Sequence, residues 1–205
     1  MKVLIVSSFL FFFSNYLHSQ IGIGTILPTA QLEIESTDTG IPTLELNPQS
    51  DPVGSVTGQL AVIGDKLYMY DDTRGKWLSL ETVSFNFGKS GNADTDNLRS
   101  QGNVSSANSG TLMPFNGTII AITANSNTTS GSTNLSKEFN FRIRNASTTQ
   151  GAEIDFSLSG GTYSDILFNR DFNAGDHFHI RARDPDSSGD SVSNPIVTIW
   201  VKWNK

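Results

Sequence analysis

The stretch EFNFRIRN (138–145) places Phe139, Phe141 and Ile143 on one side and Asn140, Arg142 and Arg144 on the other. That period of two belongs to a strand with one buried face. It recurs in EIDFSLS (153–159) through Ile154, Phe156 and Leu158. It recurs again in DHFHIRAR (176–183), where Phe178, Ile180 and Ala182 alternate with His177, His179, Arg181 and Arg183. GTIIAITA (117–124) and PIVTIWVKW (195–203) differ in being apolar on both sides. In the second of these, Val197, Ile199, Val201 and Trp203 share one face, while Ile196 and Trp200 occupy the other. A strand apolar on both faces needs a second layer or another subunit over it. Trp200 is the kind of anchor that subunit contacts favour, so Ile196 and Trp200 are the expected oligomer-interface residues.

Between these runs lie polar turns such as GKSGNADTDN (88–97), SSANSG (105–110) and DPDSSGD (184–190). Roughly eight short strands, with no helical run of useful length, predict a jelly roll or related β-sandwich over 83–205. Composition agrees. At 37% hydrophobic and 17% charged residues, the chain is filled out by Gly, Ser, Thr and Asn, which suit strands joined by turns. The formal charge of −6 weighs against nucleic acid or an anionic membrane as partner. Cysteine is absent, which excludes disulfides, thiol catalysis and cysteine-ligated zinc.

The first twenty residues, MKVLIVSSFLFFFSNYLHSQ, carry Lys2, an apolar run from Val3 to Phe13 and a polar end. The run is short for a membrane span and fits a secretory signal, here taken as 1–19, with Gln20 as the new terminus. No lipobox cysteine is present to make a lipoprotein. Loss of Lys2 leaves thirteen basic residues against twenty acidic ones. The expected product is a secreted or cell-surface protein, with the periplasm as a further location and no membrane insertion after cleavage. An exported chain without disulfides needs another source of stability, and burial between subunits supplies one.

Residues 20–82 read as a separate β-rich module. IGIGTILPTAQLEIES (21–36) sets Leu32 and Ile34 against Gln31, Glu33 and Glu35. Pro42, Pro48 and Pro52 exclude helix from the next stretch. LAVIGDKLYMYDDTRGKWLSL (60–80) reads as three strands turned at Gly64-Asp65 and at Asp71 to Gly75. The first of these segments resembles the "VGIGT…P…L.V" segments of secreted Bacteroidetes proteins and bacteriophage tail-fibre proteins. GDKLYMYDDTRGKWLSL resembles the "LY.YDG..W" hairpins of the same fibre-type proteins. Together they cover about a third of the chain. The resemblance implies an elongated, trimeric β-structured stalk or collar and no catalytic residue. Ordinary hairpins of a single β-domain stay open as the alternative. The closing FNAGDHFHI…NPIVTIWVKW resembles the last strands of jelly rolls at fibre tips and of tumour-necrosis-factor-like domains, in which the final strand packs near a threefold axis.

His177 and His179 share one face of a strand, so both imidazoles could ligate one metal. Three copies around an axis would offer six nitrogens to an octahedral transition-metal ion, as in the bacteriophage fibre needles that this pair resembles. The competing expectation is a solvated polar face beside arginines. Asp184, Asp186, Ser188 and Asp190 follow the order of the first half of a calcium loop, but its twelfth position is Pro195 rather than Glu. A plain polar turn competes with calcium there, and Asp94 and Asp96 could add ligands only if the fold brings them near. The expected cofactor is therefore none, with calcium or an axial metal as the alternative. Scattered carboxylates, and the absence of a Gly-x-Ser-x-Gly or phosphate-loop motif, predict no enzyme activity. Five Asn-x-Ser/Thr triplets matter only in a eukaryotic secretory pathway. Exposed Tyr163, Trp77 and arginines on loops are the groups expected to stack on sugar rings.

The sequence thus predicts an all-β homotrimer with a hairpin stalk (20–82) and a jelly-roll head (83–205). Loops of the head would bind a cell-surface glycan or protein partner. The alternatives are a monomeric extracellular carbohydrate-binding module, a bacteriophage tail-fibre receptor-binding protein and a metal-dependent enzyme.

Overall fold

The computed structural model describes residues 21–23, 30–36, 39–104, 106, 108–127, 137–145, 148–183 and 191–205. Contacts divide the chain into two compact units, Met1–Asn47 and Pro48–Lys205. In the first, β1 (Ile21–Ile23) pairs parallel with β2 (Leu32–Ile34). Ile21, Ile23 and Leu32 stay exposed, because a two-stranded ribbon has no second layer to cover its apolar side.

In the second unit, β3 (Leu60–Ile63), β4 (Lys66–Asp71) and β5 (Lys76–Ser79) form an antiparallel meander. Its first turn is the two-residue Gly64-Asp65 loop, with Gly64 at φ 63°, as tight hairpins require. Ala61, Tyr68 and Trp77 form a small core with Ile63 and Tyr70. The Trp77 indole N–H donates to the Pro52 carbonyl at 2.9 Å. Gly54 lies against the Tyr70 ring so closely that a Cβ would stand 2.0 Å from a ring carbon.

The rest of the unit is a β-sandwich. One sheet contains β6 (Val83–Gly88), β7 (Asn92–Ala93), β8 (Arg99–Ser100), β9 (Asn103–Val104) and β10 (Gly117–Asn127). The other consists of β11 (Glu138–Asn145), β12 (Thr148–Ser157) and β15 (His177–Arg183), in the order β12-β11-β15. The first sheet is completed by β13 (Thr162–Asp165), β14 (Arg170–Phe172) and β16 (Val192–Trp203). Bridges from Asn97 to Arg181 and from Leu112 to His177 extend the second sheet beyond β15. The chain therefore starts in one sheet at β6 and touches the other at 97 and 112. It returns at β10, crosses to β11 and β12, returns at β13 and β14, crosses at β15 and ends at β16. Such repeated crossing is jelly-roll connectivity.

The predicted inward residues meet between the sheets. Phe139, Phe141, Phe178, Ile180, Val197, Ile199 and Val201 are buried together. Phe178 is a hub, edge-on to Phe85 at 5.6 Å, Phe141 at 5.4 Å and Phe172 at 5.1 Å, the geometry that aromatic quadrupoles favour. A Cβ on Gly117 would lie 2.3 Å from the Phe172 ring and 2.9 Å from the Lys202 carbonyl oxygen, so that close approach requires glycine.

Strand β16 pairs with β10 on one side and β6 on the other. Pro195 can sit in this central strand because the register with β10 slips between Asn125 and Asn127, with Asn194 at φ 48°. A bulge is where a strand tolerates a residue without an N–H. Past the bulge, Val197, Ile199 and Val201 point into the core, whereas Ile196 is 49% and Trp200 38% exposed. Among the described residues, Ile196 and Trp200 on the outward side of this doubly apolar strand are thus only partly covered.

Packing runs across the expected 82/83 boundary. Arg74, in the turn before β5, donates from Nε to the Phe168 carbonyl at 3.0 Å. Its Nη2 donates to the carbonyls of Ile120 and Ile166, both at 2.9 Å. Lys76 pairs with Asp171 at 2.6 Å, and the Trp203 N–H donates to Ser79 Oγ at 3.0 Å. The meander and the sandwich belong to one compact unit, whose contact boundary falls after Asn47.

Candidate functional site

His177 stands opposite Arg144 and His179 opposite Arg142 in the β11–β15 ladder, so all four project from the same side of the sheet. Arg181 and Asn140 form the next pair along. The expectation of a solvated face is corrected here. His177 is 5% and His179 2% exposed, and Arg144 and Asn140 are buried with them. Alternation shows which way a side chain points, whereas burial depends on what lies over it. Part of the reason is that β15 is not a free edge. The Leu98 N–H donates to the Ile180 carbonyl, and the Ala182 N–H to the Asp96 carbonyl, each at 2.8 Å. Gly110 packs so close that a Cβ there would meet the Phe178 carbonyl oxygen at 2.7 Å.

His179 Nε2 lies 2.9 Å from Asn97 Oδ1. The amide oxygen only accepts, so this nitrogen carries the proton. Among the described residues, the buried His179 Nδ1 and His177 Nε2 find no hydrogen-bond partner. Burial, followed by the charges of Arg142, Arg144, Arg181 and His177, pushes the His179 pKa down to about 4. Its imidazole is therefore neutral at physiological pH. Among the described residues, no group of three or more His, Asp or Glu side chains is placed to hold a metal ion. Asp184, Asp186, Ser188 and Asp190 lie outside the described residues.

The loop carrying Asp94 and Asp96 bears lysines instead of further carboxylates. Lys89 pairs with Asp96 at 2.5 Å and Lys137 with Asp94 at 3.3 Å. Burial alone would raise the Asp96 pKa, but hydrogen bonds from Lys89 and the Asp94 N–H, with the charges of Lys89 and Lys137, hold it below the ordinary carboxylate value. Lys89, Ser90, Thr95, Asp96, Asn97 and Arg99 line an open cleft of about 500 Å³. From the sequence, only the two aspartates of this loop stood out. Lys89 and Arg99 carry no motif, and only the fold brings them to one cleft.

Tyr163 and Trp77, expected to be exposed, are packed. Tyr163 stacks on Phe156 with centroids 4.6 Å apart, and Trp77 is 9% exposed within the meander core.

No family model matches the chain, and no curated protein matches it. Among solved structures, the crystal structure of FLHE aligns with 60% of this chain and 98% of its own, at 9% identity and a TM-score of 0.34. A likeness of that size carries no argument about fold or function. Among the described residues, no helix is long and apolar enough to cross a membrane.

Proposed function

We propose that the chain is an exported, fibre-type structural and adhesion protein that assembles as a homotrimer, with loops of its head binding a glycan or a protein partner. The observation that carries this reading is the outward face of β16. Ile196 and Trp200 are exposed on a central strand whose opposite face buries Val197, Ile199 and Val201. Around them side chains are tied down across the sheet, and Lys202 is the one charged side chain of β16 on this face. Trp200 Nε1 donates to Thr123 Oγ1 at 3.2 Å, and the Thr198 hydroxyl donates to Asn86 Oδ1 at 2.9 Å. A rigid face with an aromatic anchor and little charge suits symmetric self-association. Export is supported by the apolar run from Val3 to Phe13 behind Lys2. The fibre character is supported by the resemblance of 21–36 and 64–80 to fibre-type segments. Catalysis has no place in this reading. Sedimentation of the purified protein tests it: a trimer is expected, and a stable monomer contradicts it.

A further inference from the structure

We propose that the cleft lined by Lys89, Ser90, Thr95, Asp96, Asn97 and Arg99 binds a saccharide that bears a carboxylate, of the uronic-acid type. The inference rests on the glycan-binding form of the reading above and names the site and the chemistry. The cleft is built from both sheets. The Lys89 N–H donates to the Pro195 carbonyl at 3.2 Å, beside the β16 bulge, while Asp96 and Leu98 are hydrogen-bonded to β15 at 2.8 Å. Walls tied to two sheets hold their polar groups in place before a ligand arrives, which reduces the ordering cost of binding.

The lining selects the ligand. In a chain of net charge −6, the described residues of the cleft gather two cations against one carboxylate. That carboxylate is already paired with Lys89. Arg99 is exposed, and among the described residues no ion pair holds it. Its planar fork suits a carboxylate bidentately. Asp96 accepts hydrogen bonds and has none to give, so it favours the hydroxyls of a sugar ring. Ser90 and Thr95 offer hydroxyls that donate or accept. Asn97 spends its amide oxygen on the His179 Nε2–H, which leaves its amide nitrogen free to donate to ligand. Among the described residues, no apolar or aromatic side chain lines the cleft, so recognition by these groups runs through hydrogen bonds and charge rather than stacking.

The test is titration calorimetry of the purified protein with a galacturonate oligosaccharide and its carboxyl-reduced counterpart, alongside Arg99→Ala and Arg99→Lys. Binding of the uronate oligomer is expected. Arg99→Ala should weaken it at least tenfold, and Arg99→Lys should weaken it less. The carboxyl-reduced sugar should bind at least tenfold more weakly than the uronate. No uronate binding, equal binding of the reduced sugar, or an Arg99→Ala protein that binds unchanged would overturn the proposal. Sedimentation of the same sample separates it from the reading on which it rests. A monomer with Arg99-dependent uronate binding keeps the site and removes the fibre, whereas a trimer without such binding does the reverse.

Discussion

Replacing Arg74 with alanine should loosen the β3–β5 meander from the sandwich. The Arg74 side chain is 12% exposed. It makes three hydrogen bonds to carbonyls more than forty residues away and a salt bridge to Asp71 at 2.8 Å. A hydrogen bond from a charged donor contributes about 1.5–3 kcal/mol. The Ile166 carbonyl belongs to an exposed residue, and those of Ile120 and Phe168 to partly covered ones. Water can therefore replace much of what they lose. The surface-facing part of the salt bridge adds at most about 1 kcal/mol. The expected loss is about 3 kcal/mol, well below the sum of the separate bonds. Arg74→Lys should lose nearly as much, because an ammonium cannot span three carbonyls from one planar group. Urea unfolding followed by fluorescence suits the question. Of the three tryptophans, Trp77 reports the meander, while Trp200 and Trp203 report the sandwich. In Arg74→Ala carrying Trp200→Phe and Trp203→Phe, the Trp77 transition should move to lower urea, measured against the same double-Phe background with Arg74 intact. A shift worth less than about 0.5 kcal/mol would refute the view that Arg74 holds the two parts together.

Two further outcomes follow from the interior. His179 releases its proton near pH 4 in the fold but near its ordinary value of 6.5 when unfolded. Between those values the unfolded chain binds more protons, so this group's contribution is full above pH 6.5 and shrinks as pH falls towards 4, by about 3 kcal/mol. An NMR titration of its ring protons should show a neutral imidazole at pH 5.5, and a midpoint at 6 or above would contradict the buried cationic setting. Gly117→Ala should cost about 1–3 kcal/mol in urea unfolding, because the new methyl meets both a ring and a strand carbonyl. A neutral result would mean that β10 and β16 can part locally.

The inward strand faces were legible in sequence because each follows from a local period. Phe139, Phe141 and Ile143, and likewise Phe178, Ile180 and Ala182, needed only their own neighbours to be placed. The same period gave the outward direction of His177 and His179 but not their burial, which depends on residues 97, 110 and 112 arriving beside β15. The Arg74 contacts escaped for a similar reason: their acceptors lie 46 to 94 residues along the chain. The cleft was invisible because its two cations flank a turn without periodicity, and only the bulge at Pro195 and the edge of β15 bring its walls together. Trp77 and Tyr163 look like exposed aromatics on turn-flanked strands, yet each found a partner contributed by another segment, Pro52 and Phe156.

The claim that copies of the chain join through the outer side of β16 is tested most directly by sedimentation velocity on the purified protein and on Ile196→Asp and Trp200→Asp. Both positions are exposed in the single chain, so neither substitution should disturb its fold, and circular dichroism and the unfolding midpoint would verify that. The account predicts a trimer for the native sequence and a folded monomer for each variant. A native protein that sediments as a monomer, or variants that remain trimeric, would contradict it.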